Sequence, residues 1–317
     1  MNYIDVQNGA PCAAQQDTPA VQSGEVLVKV SKLVLSQRSL RRAANGQAPA
    51  FGFFGHVVKA SGELKEGEGV TALPYLACGK CPACLEGHPN ACEKLQVFGR
   101  DLPGFAGKYV AVTEAAVIPA SSEKAASALL YAEAEEAVRC SGLRFNQRVA
   151  VSGSDAFARL LGTLSLRAGA ASVVFFVSSE AEAASITAAG FDAQVSATAD
   201  EAKAAAAAIT EKKFFDVVFE TVGTEISALV MLAVAKRGST FVILSAPEQA
   251  PVFHIATAIR NQVAFRGCQF ATELTFRRVL RNLDAADAAV AACTEQSADL
   301  ASAAAALAAG KDVTVSL

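Results

Sequence analysis

The stretch Cys78-Gly-Lys-Cys81-Pro-Ala-Cys84-Leu-Glu-Gly-His-Pro-Asn-Ala-Cys92 contains half of the eight cysteines in the chain. Their spacing is C-x2-C-x2-C-x7-C, and the intervening glycine and proline residues let the backbone double back. Four thiolates spaced in this way can point at one centre about 2.3 Å away, which is the geometry of a four-cysteine zinc site. Because such a site has no position for water or substrate, we predict one structural zinc per chain. The alternatives are two disulfides or four unrelated thiols.

The sequence on either side of the cysteines extends this motif. Gly67-Glu-Gly-Val70 precedes it, and Gly99-Arg-Asp-Leu-Pro-Gly-Phe-Ala-Gly-Lys-Tyr-Val110 follows it. The arrangement resembles the structural-zinc lobe of zinc-containing alcohol dehydrogenases, the medium-chain dehydrogenase/reductase family, and is most similar to the polyol and threonine dehydrogenase type. The resemblance covers nearly the whole chain. It implies an α/β fold with a GroES-like, β-rich catalytic domain and a doubly wound Rossmann domain inserted before its last segment.

We therefore expect three segments. Residues 1–128 form the GroES-like domain with its zinc lobe at 78–92, residues 129–265 the Rossmann-like dinucleotide-binding domain, and residues 266–317 the return to the catalytic domain. Residues 25–30 alternate apolar and polar side chains as a strand does. In the second segment, strands alternate with helices in the manner of a doubly wound sheet. These strands are predicted at 148–153, 172–177, 215–220 and 240–244.

Other boundaries come from the same patterns. We place the end of a helix at Gly238 and a further helix over Thr272 to Leu283. Residues 299–317 are similar to the closing helix and strand of the family, so we expect the chain to be complete.

Composition excludes some classes of function. The 317 residues are 19% charged with a formal net charge of −3, so there is no basic stripe and nucleic acid is not an expected partner. The N-terminus does not resemble a signal peptide, and the apolar runs are too short to span a membrane. Cysteine usage suits a reducing cytoplasm. The isolated cysteines are interpreted as small core residues, namely Cys12, Cys140, Cys268 and Cys293.

The resemblance also implies a small-molecule substrate or ligand, a homo-oligomer and a second, catalytic zinc. The sequence departs from the family at each of the three ligand positions of that zinc. Ser36 stands in place of the first ligand cysteine, with Arg38 and Arg41 close by. Serine is a poor zinc ligand, and arginines repel a dication. Arg38, Arg41 and Arg42 form either a solvated face or a bidentate holder for an anionic substrate group.

The second ligand motif, Gly-His-Glu in the family, falls on Phe51-Gly-Phe-Phe-Gly-His-Val-Val58. Aligned on Gly55 as the strand glycine, the His and Glu of the family are missing. Aligned on Gly55-His56, one ligand survives without its acidic companion. We favour the first alignment and interpret His56 as a structural histidine.

The third ligand position falls on Leu129 or Tyr131, and neither side chain binds zinc readily. Glu133, Glu135 and Glu136 follow on an alanine-rich helix, where we expect them to face solvent rather than to bind metal. The sequence therefore predicts that the catalytic zinc is absent. Without it, Lewis-acid polarisation of an alcohol or carbonyl is lost.

The dinucleotide motif is altered as well. Where the family has Gly-x-Gly-x-x-Gly, this chain has Gly153-Ser-Asp-Ala-Phe-Ala158. Gly153 keeps the tight turn, but Asp155 places bulk and negative charge where the backbone approaches a pyrophosphate. We interpret Asp155 as the cap of the following helix.

The acid that binds the adenosine ribose in the family is replaced by Val177, which Ser178 follows. No lysine or arginine comes next to pair with a 2′-phosphate, and Glu180 and Glu182 oppose one. The sequence therefore predicts weak NAD(P) binding or none. The candidate cofactor contacts that the resemblance implies are Gly153, Ser154, Ser178 and Gly223.

Three hypotheses remain open at this point. The chain is a zinc-free, NAD(P)-linked oxidoreductase with Tyr131, His56 or Ser36 as proton donor, or a pseudoenzyme that binds a partner or ligand, or an intact zinc alcohol dehydrogenase with an unrecognised ligand set. The lost residues favour the second hypothesis, and the fold favours the first. We expect a dehydrogenase-like protein with one structural zinc and impaired or altered catalysis.

Overall fold

The computed structural model describes residues 2–7, 10–41, 49–60, 62–245 and 255–317, and only the backbone of Ile255. The chain divides into two compact units. The first comprises Met1–Glu133 together with Phe270–Leu317, and the second comprises Ala134–Gln269. The first unit is therefore built from two stretches of sequence, between which the second unit is inserted.

Strands form the sheets of both units. In chain order they are β1 (Asn2–Gln7), β2 (Ala10–Gln15), β3 (Glu25–Leu35), β4 (Gly52–Lys59), β5 (Gly69–Ala72), β6 (Tyr75–Leu76), β7 (Gln96–Val97), β8 (Tyr109–Thr113), β9 (Val117–Pro119), β10 (Arg148–Ser152), β11 (Ser172–Val177), β12 (Asp192–Val195), β13 (Phe215–Glu220), β14 (Ala235–Ile243), β15 (Ala264–Gly267), β16 (Glu295–Ser297) and β17 (Val313–Ser316).

The helices connect these strands. They are α1 (Gln37–Leu40), α2 (Pro82–Leu85), α3 (Ala128–Ser141), α4 (Ala156–Arg167), α5 (Glu180–Ala188), α6 (Ala199–Ile209), α7 (Glu225–Val234), α8 (Ile255–Asn261), α9 (Glu273–Leu280), α10 (Leu283–Ala291) and α11 (Leu300–Ala308), with 3₁₀ turns at Pro89–Ala91, Glu114–Ala116 and Glu123–Ser127. Within the described ranges, none of the helices combines the length and apolar content needed to cross a membrane.

The first unit is organised around the long strand β3. Its main sheet has the order β16-β17-β3-β4-β5-β9, and β8 also pairs with β3. The alternating residues Val26, Val28 and Val30 are fully buried, as the predicted strand pattern requires. Phe53 and Phe105 are fully buried too, with ring centroids 5.1 Å apart in an edge-to-face arrangement. This apolar core fixes β4, the strand on which the second zinc-ligand motif was expected.

The second unit is a parallel sheet in the order β12-β11-β10-β13-β14-β15, with helices between successive strands. Val149, Ala150 and Val151 of β10 are fully buried, which is typical of a strand covered on both faces. The strand order reverses between β10 and β13. In doubly wound sheets, ligands bind outside the carboxyl ends of the strands at this reversal.

Two predicted helix boundaries are wrong. The helix expected to reach Gly238 ends at Val234, because Ala235 already pairs with Phe215 as the start of β14. The helix expected over 272–283 ends at Leu280 as α9, and a separate helix, α10, begins at Leu283. Asn282 interrupts them with a non-helical backbone (φ −132°, ψ 48°).

Candidate functional site

The four predicted zinc ligands lie together in one lobe of the first unit. The Sγ atoms of Cys78, Cys81, Cys84 and Cys92, here named the cysteine cage, all lie within 4.8 Å of one another. Cys81 Sγ is 3.5 Å from Cys84 Sγ and 3.9 Å from Cys92 Sγ. Zinc–sulfur bonds of about 2.3 Å in a tetrahedron place the sulfurs about 3.8 Å apart. The donor set of the cage therefore fits a single zinc ion.

Hydrogen bonds tune the thiols of the cysteine cage. The Cys78 backbone N–H donates to Cys92 Sγ at 3.2 Å. Hydrogen bonds from the backbone of Lys80 and Cys81 lower the pKa of Cys78 to about 6. Burial, followed by contacts with its neighbouring thiols, raises the pKa of Cys84 to about 12. Cys78 therefore favours the thiolate form near neutral pH, whereas Cys84 has to lose its proton when a metal binds.

The lobe that carries the cage is tied to the second stretch of the first unit. The Tyr75 hydroxyl donates to the Ala271 carbonyl at 2.9 Å, and Asn90 Nδ2 donates to the Phe270 carbonyl at 2.9 Å. Tyr75, Val97 and Phe270 form a small buried cluster at its base. The cage therefore lies in a lobe whose own apolar core is small. A bound metal adds most to the stability of such a lobe.

A buried ion pair lies among the residues expected near the catalytic zinc. Arg38 Nε donates to Glu133 Oε2 at 2.6 Å, and the two side chains are 4% and 1% exposed. We name Arg38 and Glu133 the ion-pair site. The solvated-face interpretation is wrong for Arg38, and the expectation that Glu133 and Glu136 face solvent is also wrong, since Glu136 is buried and paired with Arg139. Pairing with arginine is what allows these carboxylates to be buried.

Ser36, in the place of the first ligand cysteine, has a structural role. Its Oγ accepts a hydrogen bond from the Ser39 N–H at 3.2 Å and donates to Ser39 Oγ at 3.1 Å, so it caps α1. Arg41 is exposed at the end of this helix. Arg42, named with it as part of a solvated face or an anion holder, lies outside the described residues.

The second ligand motif lies on β4, with Gly55 in strand register opposite Val30. A Cβ atom added to Gly52 would lie 2.3 Å from the Ala126 carbonyl oxygen, so the backbone packs too closely there for any side chain. His56 is exposed. This stretch therefore offers no buried metal ligand in the favoured alignment.

The third expected ligand position, Leu129 or Tyr131, lies at the start of α3. Leu129 and Tyr131 are 3% and 8% exposed. Among the described residues, the cysteine cage is the one group of three or more His, Cys, Asp or Glu side chains close enough to hold a metal ion.

In the second unit, the turn after β10 keeps one feature of a dinucleotide motif and loses another. Gly153 has φ +83°, and a Cβ atom there would lie 2.9 Å from Thr221 Oγ1, so the turn requires glycine. The Asp155 carboxylate accepts a hydrogen bond from the Ala158 N–H at 2.9 Å. The predicted helix cap is therefore confirmed.

A carboxylate that sequence reasoning did not single out closes the end of β13. Glu220 is 3% exposed and accepts hydrogen bonds from the N–H groups of Val222 at 3.0 Å and Gly223 at 2.9 Å. The hydroxyls of Ser227 and Ser245 also donate to it. The sequence signal for Glu220 was an acid at the end of a buried strand. Because the Gly223 N–H donates to Glu220, this candidate cofactor contact already has a partner within the chain.

A second carboxylate brings two other candidates together. Glu182 Oε2 accepts from the Ser178 N–H at 2.9 Å and the Ser178 hydroxyl at 2.7 Å, while Oε1 accepts from the Ser154 hydroxyl at 3.1 Å. Partial burial works to raise the pKa of Glu182, but hydrogen bonds from Ser178, Ser154 and Ser179 outweigh it and hold that pKa below its usual value. Sequence reasoning noted only the charge of Glu182.

Known proteins share both parts of this architecture. Residues 22–122 match the alcohol dehydrogenase GroES-like domain, and residues 160–285 match the zinc-binding dehydrogenase domain. The chain belongs to the zinc-type medium-chain alcohol dehydrogenase family. The predicted fold class of this dehydrogenase-family chain, GroES-like plus Rossmann, is confirmed.

Individual relatives of this chain are named as dehydrogenases. L-galactonate-5-dehydrogenase of Escherichia coli (strain K12) is 30% identical over 154 residues, which are 44% of this chain and 45% of that relative. L-threonine 3-dehydrogenase of Bacillus subtilis (strain 168) is 25% identical over 266 residues, or 78% of this chain and 75% of the relative. The crystal structure of galactitol-1-phosphate dehydrogenase from Escherichia coli has a TM-score of 0.83 at 19% identity and covers 100% of both chains. The match to the first relative thus spans less than half of its length.

Two of the cysteines outside the cage, Cys140 and Cys268, differ from expectation. Cys12, Cys140, Cys268 and Cys293 are only partly buried. A hydrogen bond between the side chains of Cys140 and Cys268 lowers the pKa of Cys140 to about 6. The interpretation of these two thiols as isolated core residues is wrong, because the fold brings the end of α3 next to the end of β15. Arg266 Nη1 holds that contact by donating to the Cys140 carbonyl at 2.7 Å.

Proposed function

We propose that this chain is an alcohol dehydrogenase-like protein that holds one structural zinc in the cysteine cage and has no catalytic zinc. The ion-pair site carries this proposal. Its guanidinium already supplies the positive charge that the buried Glu133 carboxylate requires, and it repels a dication brought to the same place. Taking Glu133 as a zinc ligand would leave Arg38 buried without that partner, at a cost on the order of 3–5 kcal/mol.

The function that these positions support best is binding of a ligand or partner subunit on a dehydrogenase fold, that is, a pseudoenzyme. Two carboxylates support it. Asp155 stands at the N-terminus of α4, where the pyrophosphate of a dinucleotide is expected, and its carboxylate already accepts a helix N–H. The Glu182 carboxylate accepts hydrogen bonds from the hydroxyls of Ser154 and Ser178. The residues present therefore do not fit a dinucleotide held in the manner of the family.

A zinc-free, NAD(P)H-linked oxidoreductase is the second candidate. The tight turn at Gly153, with its left-handed backbone, supports it because a glycine turn of this kind opens the nucleotide-binding loop in Rossmann folds. Of the three proton donors considered, Ser36 is engaged as a helix cap and His56 is exposed. Tyr131, 8% exposed at the start of α3, is then the residue proposed as the general acid.

Titration of the purified chain with NADH and NADPH separates these two candidates. Cofactor fluorescence and thermal shift are read together, with an alcohol dehydrogenase that has an intact glycine motif as positive control. The binding proposal predicts no shift in unfolding temperature even at millimolar cofactor. A dissociation constant in the micromolar range would refute it and support the oxidoreductase.

A further inference from the structure

Glu182 connects the two loops that leave the carboxyl ends of β10 and β11. Its Oε1 accepts from Ser154 in the first loop, and its Oε2 accepts from both the N–H and the hydroxyl of Ser178 in the second. The Ser179 hydroxyl lies 3.3 Å from the same Oε2. One carboxylate thus engages three serine hydroxyls and a backbone N–H.

Helix capping explains part of this network. Ser179 caps α5 by accepting from the Glu182 N–H at 3.3 Å, and a glutamate at this position commonly reaches back over the first turn. A cap does not require contact with another loop. The 3.1 Å bond from Ser154, which lies 28 residues earlier in the chain, adds such a contact with the altered glycine motif.

The Glu182 carboxylate lies beside the end of β11, where the family binds the adenosine ribose. Val177, the last residue of β11, stands where the family carries the acid for the adenosine ribose, and the donors on Ser178 follow it directly. We infer that Glu182 is an internal occupant of the ribose end of the nucleotide position, and that it excludes a 2′-phosphorylated adenosine from the serine donors.

Charge and hydrogen-bonding capacity both support this inference. An ionised carboxylate has about four acceptor positions, and the chain itself supplies four donors to Glu182. A phosphate seeking these donors meets a negative charge that already holds them, and like charges in contact repel. Removal of the carboxylate leaves hydroxyl and N–H donors of the kind that bind phosphate.

The inference deepens the proposed loss of dinucleotide binding and rests on it, but it does not depend on the zinc content of the chain. The probe is adenosine 2′-monophosphate, which lacks the pyrophosphate that Asp155 opposes, with adenosine as the uncharged comparison. Binding is measured by calorimetry on the full chain, as wild type and as Glu182→Ala and Glu182→Gln. Glu182→Gln keeps the side-chain length if Glu182→Ala does not fold. Glu180→Ala is the matched control, because Glu180 is an exposed acid in the same helical turn that makes none of these contacts.

We expect both Glu182 variants to bind adenosine 2′-monophosphate roughly tenfold more tightly than wild type, as release of charge-assisted donors implies, with no gain for adenosine. Glu180→Ala is expected to match wild type. An equal gain in Glu180→Ala, or no gain in a folded Glu182 variant, would overturn the inference. Micromolar binding of NADH, which has no 2′-phosphate, by wild type would instead refute the proposed function alone, so the two failures are distinguishable.

Discussion

The cysteine cage and the ion-pair site lie in the same unit, the first at the expected structural-zinc position and the second among residues expected near the catalytic zinc, and their chemistry differs. The cage brings four sulfurs within 4.8 Å of one another. The ion-pair site places a guanidinium 2.6 Å from a carboxylate with both side chains almost fully buried. A structural zinc contributes to the folding of its lobe, whereas a catalytic zinc supplies Lewis-acid chemistry. The proposed function therefore implies that the two zinc roles are lost separately.

The largest expected effect is the loss of the cage. We expect Cys81→Ser to lose zinc and to unfold the lobe, since structural zinc contributes about 10 kcal/mol or more to folding in small zinc domains. Zinc content and thermal unfolding measure this. Cys12→Ser, a cysteine outside the cage, is the control and should leave both unchanged. A Cys81→Ser protein as stable as wild type would show that the cysteine cage does not stabilise the lobe through a bound zinc.

Breaking the ion-pair site should have the next largest effect. Glu133→Ala leaves Arg38 buried without that carboxylate, and we expect a loss of about 3–5 kcal/mol in the free energy of unfolding by urea. The double variant Arg38→Met/Glu133→Leu should recover most of it. Asp284→Ala breaks the exposed ion pair with Lys124 and should cost about 1 kcal/mol or less, which makes it the control. Equal effects at the two pairs would show that the ion-pair site is an ordinary surface contact.

A smaller effect extends the comparison to the second unit, where Asp155 stands in place of a glycine. Asp155→Ala should destabilise the chain by about 1 kcal/mol because the cap of α4 is lost, whereas Asp155→Asn, also a good cap, should be nearly neutral. Urea unfolding measures both. If Asp155→Ala is neutral, the carboxylate does not act as a cap and another reason for its presence is needed.

The smallest effect is a pH dependence from Glu182. Hydrogen bonds hold its folded-state pKa below the usual value against the opposing effect of burial. Its contribution to stability is therefore fully present above the pKa of an unfolded glutamate, about 4.3, and is lost as the pH falls through the folded pKa. We expect the stability difference between wild type and Glu182→Gln to shrink over that acidic range. A difference that is constant from neutral to acidic pH would contradict the hydrogen-bonding account.

Local sequence patterns predicted the cysteine cage and many of the strands. The cysteine spacing indicated which four thiols come together, and the alternation at 25–30 and the buried runs at 172–177 and 215–220 identified strands that the structure contains. These features depend on residues that are close in sequence. Asp155 was predicted as a cap for the same reason.

What the sequence did not reveal depends on contacts between distant residues. Arg38 and Glu133 are 95 positions apart, so an alanine-rich helix looked solvent-facing until its partner was known. The thiols of Cys140 and Cys268 meet only because α3 and β15 do. Likewise, pairing of Ala235 with Phe215 ended α7 earlier than its composition indicated.

The most direct test of the difference between the cysteine cage and the ion-pair site is the zinc content of the purified full-length chain, measured by mass spectrometry of the metal against protein concentration. The account predicts one zinc per chain, which is lost in Cys81→Ser and retained in Arg38→Met/Glu133→Leu. Two zinc ions per chain, with one surviving in Cys81→Ser, would contradict it.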